Sequence, residues 1–452
     1  MTDPKAAQKK ALNLLDDIIG RARKAGADAA DAVMFESVSL GVSCRMGEPE
    51  DVERSESNDL GLRVLVGKRQ AFVSSTDTAP AMLDELVSRA LDMAKLAPED
   101  PHCGLADPDL LATSLADLDL FDAAEPDTNA LMARAKTAED AGRAVKGVTN
   151  SEGGGASWGR STVALATSGG FGGAYSGTSH GVSCSVVAGD GDTGMERDYD
   201  YASSRFLADL EDAAEIGRRA GKRCVKRLNP RKVKSAQVPV IYDPRVAGGL
   251  VGHLAGAING QSVARGTSFL KDSMGKQIFA DGITITDDPH RKRGLKSKPV
   301  DGEGVANRRC DLIADGRLTT WLLDTASARQ LGLKSTGHAA RGTASPPSPS
   351  TSNLYMAAGA QTPEELMADI KSGFYITELI GFGISMVTGD YSRGAAGFWI
   401  EDGQIAYPVS ELTVAGNLKD MFREITPAND LEFRRGTDAP TLRVDGMTVA
   451  GT

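Results

Sequence analysis

The chain has 452 residues, of which 41% are hydrophobic and 25% charged, and 51 are glycines. This length predicts two or three domains, and the composition is that of a globular protein, not of a fibre or a disordered chain. The formal net charge of −10 argues against a dedicated nucleic-acid surface.

Membrane insertion and secretion are also disfavoured by the sequence. No apolar run approaches the roughly 18–20 residues that a membrane span needs, and the charged N-terminus lacks the apolar core of a signal peptide. The five cysteines are scattered without CxxC spacing, which is typical of reduced thiols. We therefore expect a cytoplasmic protein.

Residues 1–125 are predicted to form an N-terminal α+β domain. Apolar residues recur at helical spacing over 6–25 and over Pro80–Leu96. Residues 38–44 alternate as a half-buried strand, and 60–66 with 70–73 indicate a hairpin around Gly67. Helices beside an antiparallel sheet are the basis of the α+β prediction.

Residues 126–235 are predicted to form a central domain of mixed α/β character. Residues 98–128, which precede and enter it, read as a connecting segment. Helices are expected over 129–145 and 208–225, with strand-like pieces between them separated by glycine clusters at 153–155, 169–170 and 172–173. Pro230 and the basic residues after it indicate a linker into the last domain.

Residues 236–452 are predicted to form a glycine-rich, mostly β C-terminal domain. Strands are expected over 318–323, 397–401 and 404–408, and Asp402-Gly403 between the last two is a strong hairpin signal. Residues 344–352 are predicted to be an extended Pro/Ser loop. Thr362 and Glu365 have the spacing of a capping box, which predicts a short helix.

The histidines do not have the spacing of a zinc-binding helix. No HxxxH or HExxH pattern occurs among the five of them, which are His102, His180, His253, His290 and His338. No helix therefore presents paired imidazoles to a metal ion, although distant histidines can still converge in three dimensions.

The most informative segment is 238–270, which reads VPVIYDPRVAGGLVGHLAGAINGQSVARGTSFL. A short β-rich run leads into Asp243-Pro244, which is a helix-start signal. A glycine-spaced apolar helix and a polar Arg-Gly-Thr-Ser loop follow. Further motifs are the D-x-E-G turn at 301–304, the S-T-G-H stretch at 335–338 and the stretches 391–395, 407–409 and 415–418. Together with the segment 238–270, these motifs resemble those of the TldD/PmbA family of metalloproteases, and of its PmbA (TldE) branch in particular.

The resemblance implies that this chain lacks catalytic residues and metal ligands. In the TldD branch the corresponding helix carries HExxxH, and a downstream cysteine completes the zinc site. Aligned from the shared Arg-Gly-Thr-Ser, Val251 and Gly256 replace the two histidines and Gly252 replaces the glutamate. The cysteine position falls near Ile380-Gly381. His338 stands where the TldD branch has asparagine.

Six residues are candidates for substrate binding, and five of them have a structural alternative. His253 is either a hydrogen-bonded structural histidine or a substrate contact. The polar loop either fixes itself or contacts peptide, and the asparagine after the Pro/Ser loop is either a turn residue or a clamp for peptide backbone. The other candidates are Arg265, Thr267, Ser268, Asn353 and, from the PmbA-type stretch 391–395, Arg393.

Three further features receive structural interpretations. The glycines of the 244–257 helix are predicted to allow close helix packing, because no phosphate-binding pattern accompanies them. The basic run 290–298 is predicted to be a solvated loop and not a nucleic-acid site. Cys310 is predicted to be a buried structural thiol without a partner.

The resemblance implies a metal-free subunit of a TldD/TldE-type protease. A TldD-like catalytic subunit would supply zinc in a heterodimer, and the chain alone could form a homodimer. Substrates would be unfolded or extended peptides, including peptide-antibiotic precursors and antitoxins, held by strand addition to a β-edge. Two alternatives remain open. One is a stand-alone metallopeptidase using His253, His338 and carboxylates. The other is a regulatory binding protein, in line with the family's older description as a modulator of DNA gyrase.

Overall fold

The computed structural model describes residues 3–190 and 194–451. Its helices in this part of the chain are α1 Pro4–Lys24, α2 Pro80–Leu96, α3 Thr128–Arg143, α4 Ala213–Lys226, α5 Pro244–Ala257, α6 Gly260–Ala264, α7 Thr325–Gln330, α8 Pro363–Met367 and α9 Leu418–Arg423. The strands of the first half are β1 Ala29–Arg45, β2 Glu48–Val66, β3 Arg69–Ser75, β4 Val148–Thr167, β5 Gly172–Asp190 and β6 Gly194–Ser204.

The second half contains shorter strands. They are β7 Ala236–Tyr242, β8 Ile285–Asp288, β9 Cys310–Ala314, β10 Arg317–Leu318, β11 Ala339–Ala340, β12 Ser348–Pro349, β13 Asn353–Met356, β14 Ser372–Ile384, β15 Asp390–Glu401, β16 Gln404–Asn417, β17 Ile425–Pro427, β18 Thr437–Asp438 and β19 Leu442–Ala450. No helix in residues 3–190 or 194–451 is both long enough and apolar enough to cross a membrane.

One antiparallel sheet organises the first half, in the strand order β3-β2-β1-β4-β5-β6. Side chains alternate between the two faces of a strand, and β1 shows what each face covers. Ala32 lies in the core under α1 and α2, and Val42 in the core under α3. Val33 points to the other side, where it packs in one cluster with Val300. The helices therefore cover one face, and the other face meets the C-terminal part.

Two further sheets form the C-terminal part. One has the order β10-β9-β8-β13-β18, and the other has the order β16-β15-β14-β7-β19-β17. In the second sheet β16 also pairs with β19, which closes it on itself. Helix α5 contributes Leu254 to the same core as Ile285 of β8 and Leu442 of β19, so it is packed between these sheets. The predicted α+β class is confirmed, and the C-terminal part is mostly β as predicted.

Several local predictions are confirmed in detail. Helix α2 has the predicted bounds, and β2 and β3 form the predicted antiparallel hairpin. At the Asp402-Gly403 turn between β15 and β16 both residues have positive φ, of 48° and 77°, as a two-residue hairpin turn requires. Thr362 and Glu365 form the capping box that begins α8.

Three local predictions are wrong. The glycines 153–155 do not separate strands but lie inside β4, where a Cβ on Gly154 would meet the carbonyl oxygen of Ala135 in α3. Gly154 is therefore needed for the close approach of that helix. The helix predicted from 208 begins at Ala213, after a separate short turn. Of the strand expected over 318–323, only Leu318 lies in a strand, at the end of β10. The domain boundaries stay a prediction.

Candidate functional site

Helix α5 begins directly after the buried strand β7. The carboxylate of Asp243 accepts a hydrogen bond from the Arg245 backbone N–H at 2.9 Å, and Pro244 occupies the first helical turn. Both features stabilise a helix start. Val251 is buried with the apolar side of α5, whereas Gly252 and Gly256 lie on its exposed side and His253 is half-buried. The stretch that aligns with HExxxH thus reaches the surface of the molecule.

Close packing explains only some of the α5 glycines. A Cβ on Gly248 would lie 2.6 Å from the Thr437 carbonyl oxygen, so this glycine permits a close approach. A Cβ on Gly249 or Gly252 would meet nothing within 4 Å, so for these two the packing prediction is wrong. A Cβ on Gly256 would lie 3.1 Å from the Met386 side chain. At the glycine positions no side chain projects from the exposed side of α5.

The β14–β15 hairpin lies beside α5 and carries an exposed apolar tip. The Met386 carbonyl accepts a hydrogen bond from the Phe269 N–H at 2.9 Å, which fixes the hairpin to the loop after α6. Phe382 is 95% exposed, and Ile380 and Val387 are 60% and 61% exposed. Exposed apolar groups clustered in this way mark an interaction surface. The sequence signal that we missed is Phe382 between two glycines within a strand.

Beyond its first residues, β14 has a free edge. It pairs with β7 only at Phe374, Tyr375 and Ile376, whereas its pairing with β15 continues to Ile384. From Thr377 onward, no strand of residues 3–190 or 194–451 pairs with β14 on the β7 side. Such an edge presents backbone donors and acceptors to an extended chain.

His253 belongs to a small cluster beside this edge. Its ring lies edge-on to the Tyr391 ring, with 6.0 Å between the ring centroids, and it makes no hydrogen bond within the described residues. Burial, and then the positive charge of Arg393, lower the pKa of His253 to about 4. His253 is therefore neutral at pH 7 and is not the hydrogen-bonded structural histidine of the first alternative.

The polar loop after α6 mostly stabilises itself. Ser268 is buried, and its hydroxyl donates to the Ala257 carbonyl at the end of α5 and accepts from the Leu270 N–H. The Thr267 hydroxyl donates to the Ser262 carbonyl at 3.2 Å. Arg265 is exposed and caps the C-terminus of α6 through its backbone. Of the candidates in this loop, Arg265 and Thr267 are thus the solvent-exposed ones.

Asn353 clamps the chain's own backbone. Its side-chain amide donates to the Asp288 carbonyl at 2.7 Å and to the Ser297 hydroxyl, and its side-chain oxygen accepts from the Lys296 N–H at 3.0 Å. It starts β13 and is buried. These contacts hold the basic loop 290–298 and place Asn353 apart from the α5 cluster.

The basic loop is attached to the protein at several points, although Lys292, Arg293 and Lys296 are exposed, as a solvated loop predicts. The Arg293 side chain donates to Asp119 at 2.6 Å and to Asp209 at 2.9 Å. The Arg291 guanidinium lies 3.4 Å from the centroid of the Phe433 ring. The positive charges of these arginines thus contact other groups of the same chain.

Cys310 has a partner, contrary to prediction. Its sulfur lies 3.8 Å from His338 Nε2, and the same nitrogen lies 3.4 Å from a carboxylate oxygen of Asp287. Burial, and then the negative charge of Asp287, raise the pKa of Cys310 to about 12, so the thiol stays protonated. His338 Nδ1 lies 2.8 Å from the Thr336 hydroxyl. His253 shares none of these neighbours, so the two histidines are not brought together.

The D-x-E-G turn forms a buried carboxylate pair. Asp301 accepts hydrogen bonds from the N–H groups of Glu303, Val305 and Ala339. Glu303 accepts from the Thr325 N–H and hydroxyl at 2.7 and 2.8 Å. Burial, and then the charge of Asp301, raise the pKa of Glu303 to about 7. The turn thus has a structural role at the junction between the N-terminal sheet and the C-terminal part.

The residues on the exposed side of α5 do not fit a zinc ion. A catalytic zinc site uses three protein ligands with nitrogen, sulfur or oxygen donors. Of Val251, Gly252, His253 and Gly256, only His253 has a donor side chain, and Ile380 and Gly381 add none. Within residues 3–190 and 194–451, no group of three or more His, Cys, Asp or Glu is placed to hold a metal.

The fold and these motifs define a protein of the metallopeptidase type whose α5 face lacks the ligand set. Residues 30–94, 121–228 and 235–451 match domain 1, the central domain and the C-terminal domain of the PmbA/TldA metallopeptidases. The chain is 43% identical to metalloprotease PmbA of Escherichia coli O157:H7, over 94% of this chain and 92% of that protein. It is 36% identical to the PmbA homolog of Haemophilus influenzae, over 99% and 97%. The chain therefore belongs to the PmbA/TldD family, which confirms the resemblance.

Solved structures share the whole fold. A protein of Bacteroides thetaiotaomicron described as a modulator of DNA gyrase superposes with a TM-score of 0.90 at 25% identity, over 97% of this chain and 98% of that one. TldE of Thermococcus kodakarensis superposes with a TM-score of 0.87 at 20% identity, over 97% and 100%, which shows the fold alone.

Proposed function

We propose that this chain is the cytoplasmic, non-catalytic subunit of a TldD/TldE-type metalloprotease. It pairs with a TldD-like chain that supplies the metal, and together they cleave unfolded or extended peptides. The observation that carries the proposal is the exposed side of α5. At the place that aligns with HExxxH, this chain presents Gly252 and Gly256 without a donor group, and Val251 is buried.

The neighbouring hairpin supports pairing with another chain. Ile380, Phe382 and Val387 leave apolar surface exposed next to α5, and burying one aliphatic side chain contributes about 1.5–3 kcal/mol. The relatives include proteins named metalloprotease TldD homolog, one of which is 28% identical over 45% of this chain. A TldD-like subunit covering this surface would place its own active site beside α5.

The free edge of β14 supports an extended substrate. Its backbone groups beyond Ile376 can pair with one peptide strand, and only an unfolded segment can lie along such an edge. A folded protein presents its backbone already paired, so it would be excluded. This gives selectivity for extended peptides without a deep side-chain pocket.

The test is reconstitution with a TldD-like subunit from the same organism. This chain, the partner and their mixture are compared for complex formation by light scattering, for bound metal per chain, and for cleavage of an unstructured fluorogenic peptide. Only the mixture should cleave the peptide, and the metal should follow the partner. Cleavage by this chain alone with stoichiometric metal, lost in His253→Ala or His338→Ala, would make it a peptidase in its own right. Failure to form any complex would favour the regulatory alternative.

A pair of matched variants tests the surface. Ile380→Ser with Val387→Ser should weaken the complex about tenfold or more, since the aliphatic contacts are lost. Leu96→Ser removes an 88% exposed aliphatic side chain at the end of α2 and should leave the complex unchanged. Equal weakening by both variants would contradict the proposed interface.

A further inference from the structure

Arg393 is a cation without a partner in the structure. Its guanidinium makes no hydrogen bond and no ion pair within residues 3–190 and 194–451, and its Nε is inaccessible to solvent. The residue as a whole is half-buried, and a buried polar group without a partner is costly, so such groups are normally paired. By contrast, Arg245, whose side chain is 9% exposed, donates to the Asp198 carboxylate at 2.7 Å. Arg393 is therefore set up for an anion that comes from outside the chain.

A β-bulge shapes the surroundings of Arg393. Gly394 pairs with Ile380 and Ser392 with Gly383, so Gly381 and Phe382 together stand opposite the single residue Arg393. Gly381 has a φ of +79°, which a glycine adopts without strain. Bulges redirect side chains and are common near functional sites. The Phe382 ring lies 6.0 Å from the guanidinium carbon and is almost fully exposed.

Three titratable side chains that the charge of Arg393 reaches are themselves neutral. His253 is close enough for the charge of Arg393 to lower its pKa, and it stays neutral above about pH 4. Tyr391 and Tyr242 also feel this charge, and burial raises the pKa of both phenols, so they are neutral as well. In the part of the chain that the structure describes, the ring nitrogens of His253 make no hydrogen bond and are available for one. The cluster thus offers one planar cation, one neutral imidazole and one exposed aromatic ring.

We propose that Arg393, with His253 and Phe382, forms a binding site for a carboxylate carried by an extended peptide on the free edge of β14. This proposal rests on the proposed function and names the chemistry by which the peptide is recognised. The guanidinium matches a carboxylate with two parallel hydrogen bonds, His253 contributes a neutral polar contact, and the Phe382 ring packs against the adjoining residue. The carboxylate is either the C-terminus of the peptide or an Asp or Glu side chain.

The test uses four fluorescein-labelled ten-residue peptides of Gly, Ser, Thr and Val. One has a free C-terminal carboxylate, one is its C-terminal amide, and two are amides with either Glu or Gln near the C-terminus. Binding to the purified chain, and to its complex with the TldD-like subunit, is measured by fluorescence anisotropy. The free acid or the Glu peptide should bind about tenfold or more tightly than its uncharged counterpart, because a hydrogen bond to a charged group is worth about 1.5 kcal/mol or more.

Variants assign the preference to Arg393. Arg393→Gln should abolish the difference, and Arg393→Lys should retain only part of it, since lysine lacks the planar pair of donors. Arg89→Gln changes the net charge equally on the exposed side of α2 and should keep the full preference. The preference in the unaltered chain should be the same at pH 5.5 and pH 8, because His253 is neutral throughout.

The outcomes separate this proposal from the proposed function. Preference for the free acid identifies the C-terminus, and preference for the Glu peptide identifies a side chain. Equal binding of all four peptides, or no binding of any, overturns the carboxylate site, even if the complex with the TldD-like subunit forms and cleaves peptide. If the complex does not form, peptide preference in the chain alone still decides the carboxylate site.

Discussion

Replacing Asp31 by asparagine should destabilise the protein more than any exposed charge change. Asp31 lies in β1, where it accepts a hydrogen bond from Arg63 of β2 at 2.6 Å and another from Arg341 at 2.7 Å. The side chains of Arg63 and Arg341 are 4% and 2% exposed. This ion triad joins the N-terminal sheet to the segment after β11, across 310 residues of sequence.

The magnitude follows from the two cations that would remain. Asparagine is nearly isosteric and can still accept one hydrogen bond, but Arg63 and Arg341 would lose the carboxylate to which both of them donate. Removing one partner of a buried ion pair costs about 3–5 kcal/mol, because an uncompensated charge stays buried. We expect a loss of free energy of unfolding in this range for Asp31→Asn. The triple change to Asp31→Leu, Arg63→Met and Arg341→Met should recover most of it, since none of the three charges of the triad is then left buried.

The pH dependence has a definite sign. Burial alone would raise the pKa of Asp31, but the charges of Arg63 and Arg341 outweigh it and hold that pKa below its ordinary value. The stabilisation is therefore present above the unfolded pKa of about 3.9 and is lost as the pH falls through the folded pKa. The difference between the unaltered chain and Asp31→Asn should be largest at neutral pH and shrink in acid.

Thermal and urea unfolding at several pH values, followed by circular dichroism and tryptophan fluorescence, measures this difference. Agreement of the two probes tests whether unfolding is two-state. The control is Asp17→Asn, which removes a 50% exposed partner of Arg21 and should cost about 0–1 kcal/mol. Equal shifts in Asp31→Asn and Asp17→Asn would refute the reasoning, as would a triple variant that is less stable than Asp31→Asn.

Two further predictions concern the D-x-E-G turn and the helix layer. Because the folded pKa of Glu303, about 7, lies above its ordinary value of 4.5, its stabilisation is lost as the pH rises through 7. The free energy of unfolding of Glu303→Gln, relative to that of the unaltered chain, should therefore rise by about 3 kcal/mol between pH 4.5 and pH 8.5. A difference in stability between the two proteins that does not change with pH in melting experiments would contradict this. A Cβ on Gly217 of α4 would collide with the Ala138 carbonyl oxygen of α3, so Gly217→Ala should cost about 1–3 kcal/mol. A Cβ on Gly252 would meet no other atom, so Gly252→Ala should instead raise the free energy of unfolding by about 0.5–1 kcal/mol. If Gly217→Ala and Gly252→Ala change the stability in the same direction, the packing argument is wrong.

Local patterns in the sequence were sufficient to predict most helices and strands of the first half. Helix α2 and the β2–β3 hairpin follow from periodicity and a glycine turn, because these signals act over a few residues. The glycines at 153–155 misled the prediction for a physical reason. A glycine that ends a strand and a glycine that admits a helix against a strand look the same in sequence, and only the position of α3 distinguishes them.

The sequence by itself determined the family, the α+β class and the replacement of metal ligands at Val251, Gly252 and Gly256, since these depend on residue identity and order. Only the tertiary structure decided which polar groups meet. Among the described residues Arg393 has no ion-pair partner, whereas Arg341 pairs with Asp31, although nothing in their local sequence separates the two arginines. Ion pairing depends on distances across strands that are hundreds of residues apart, so it is fixed when the sheets assemble and not before.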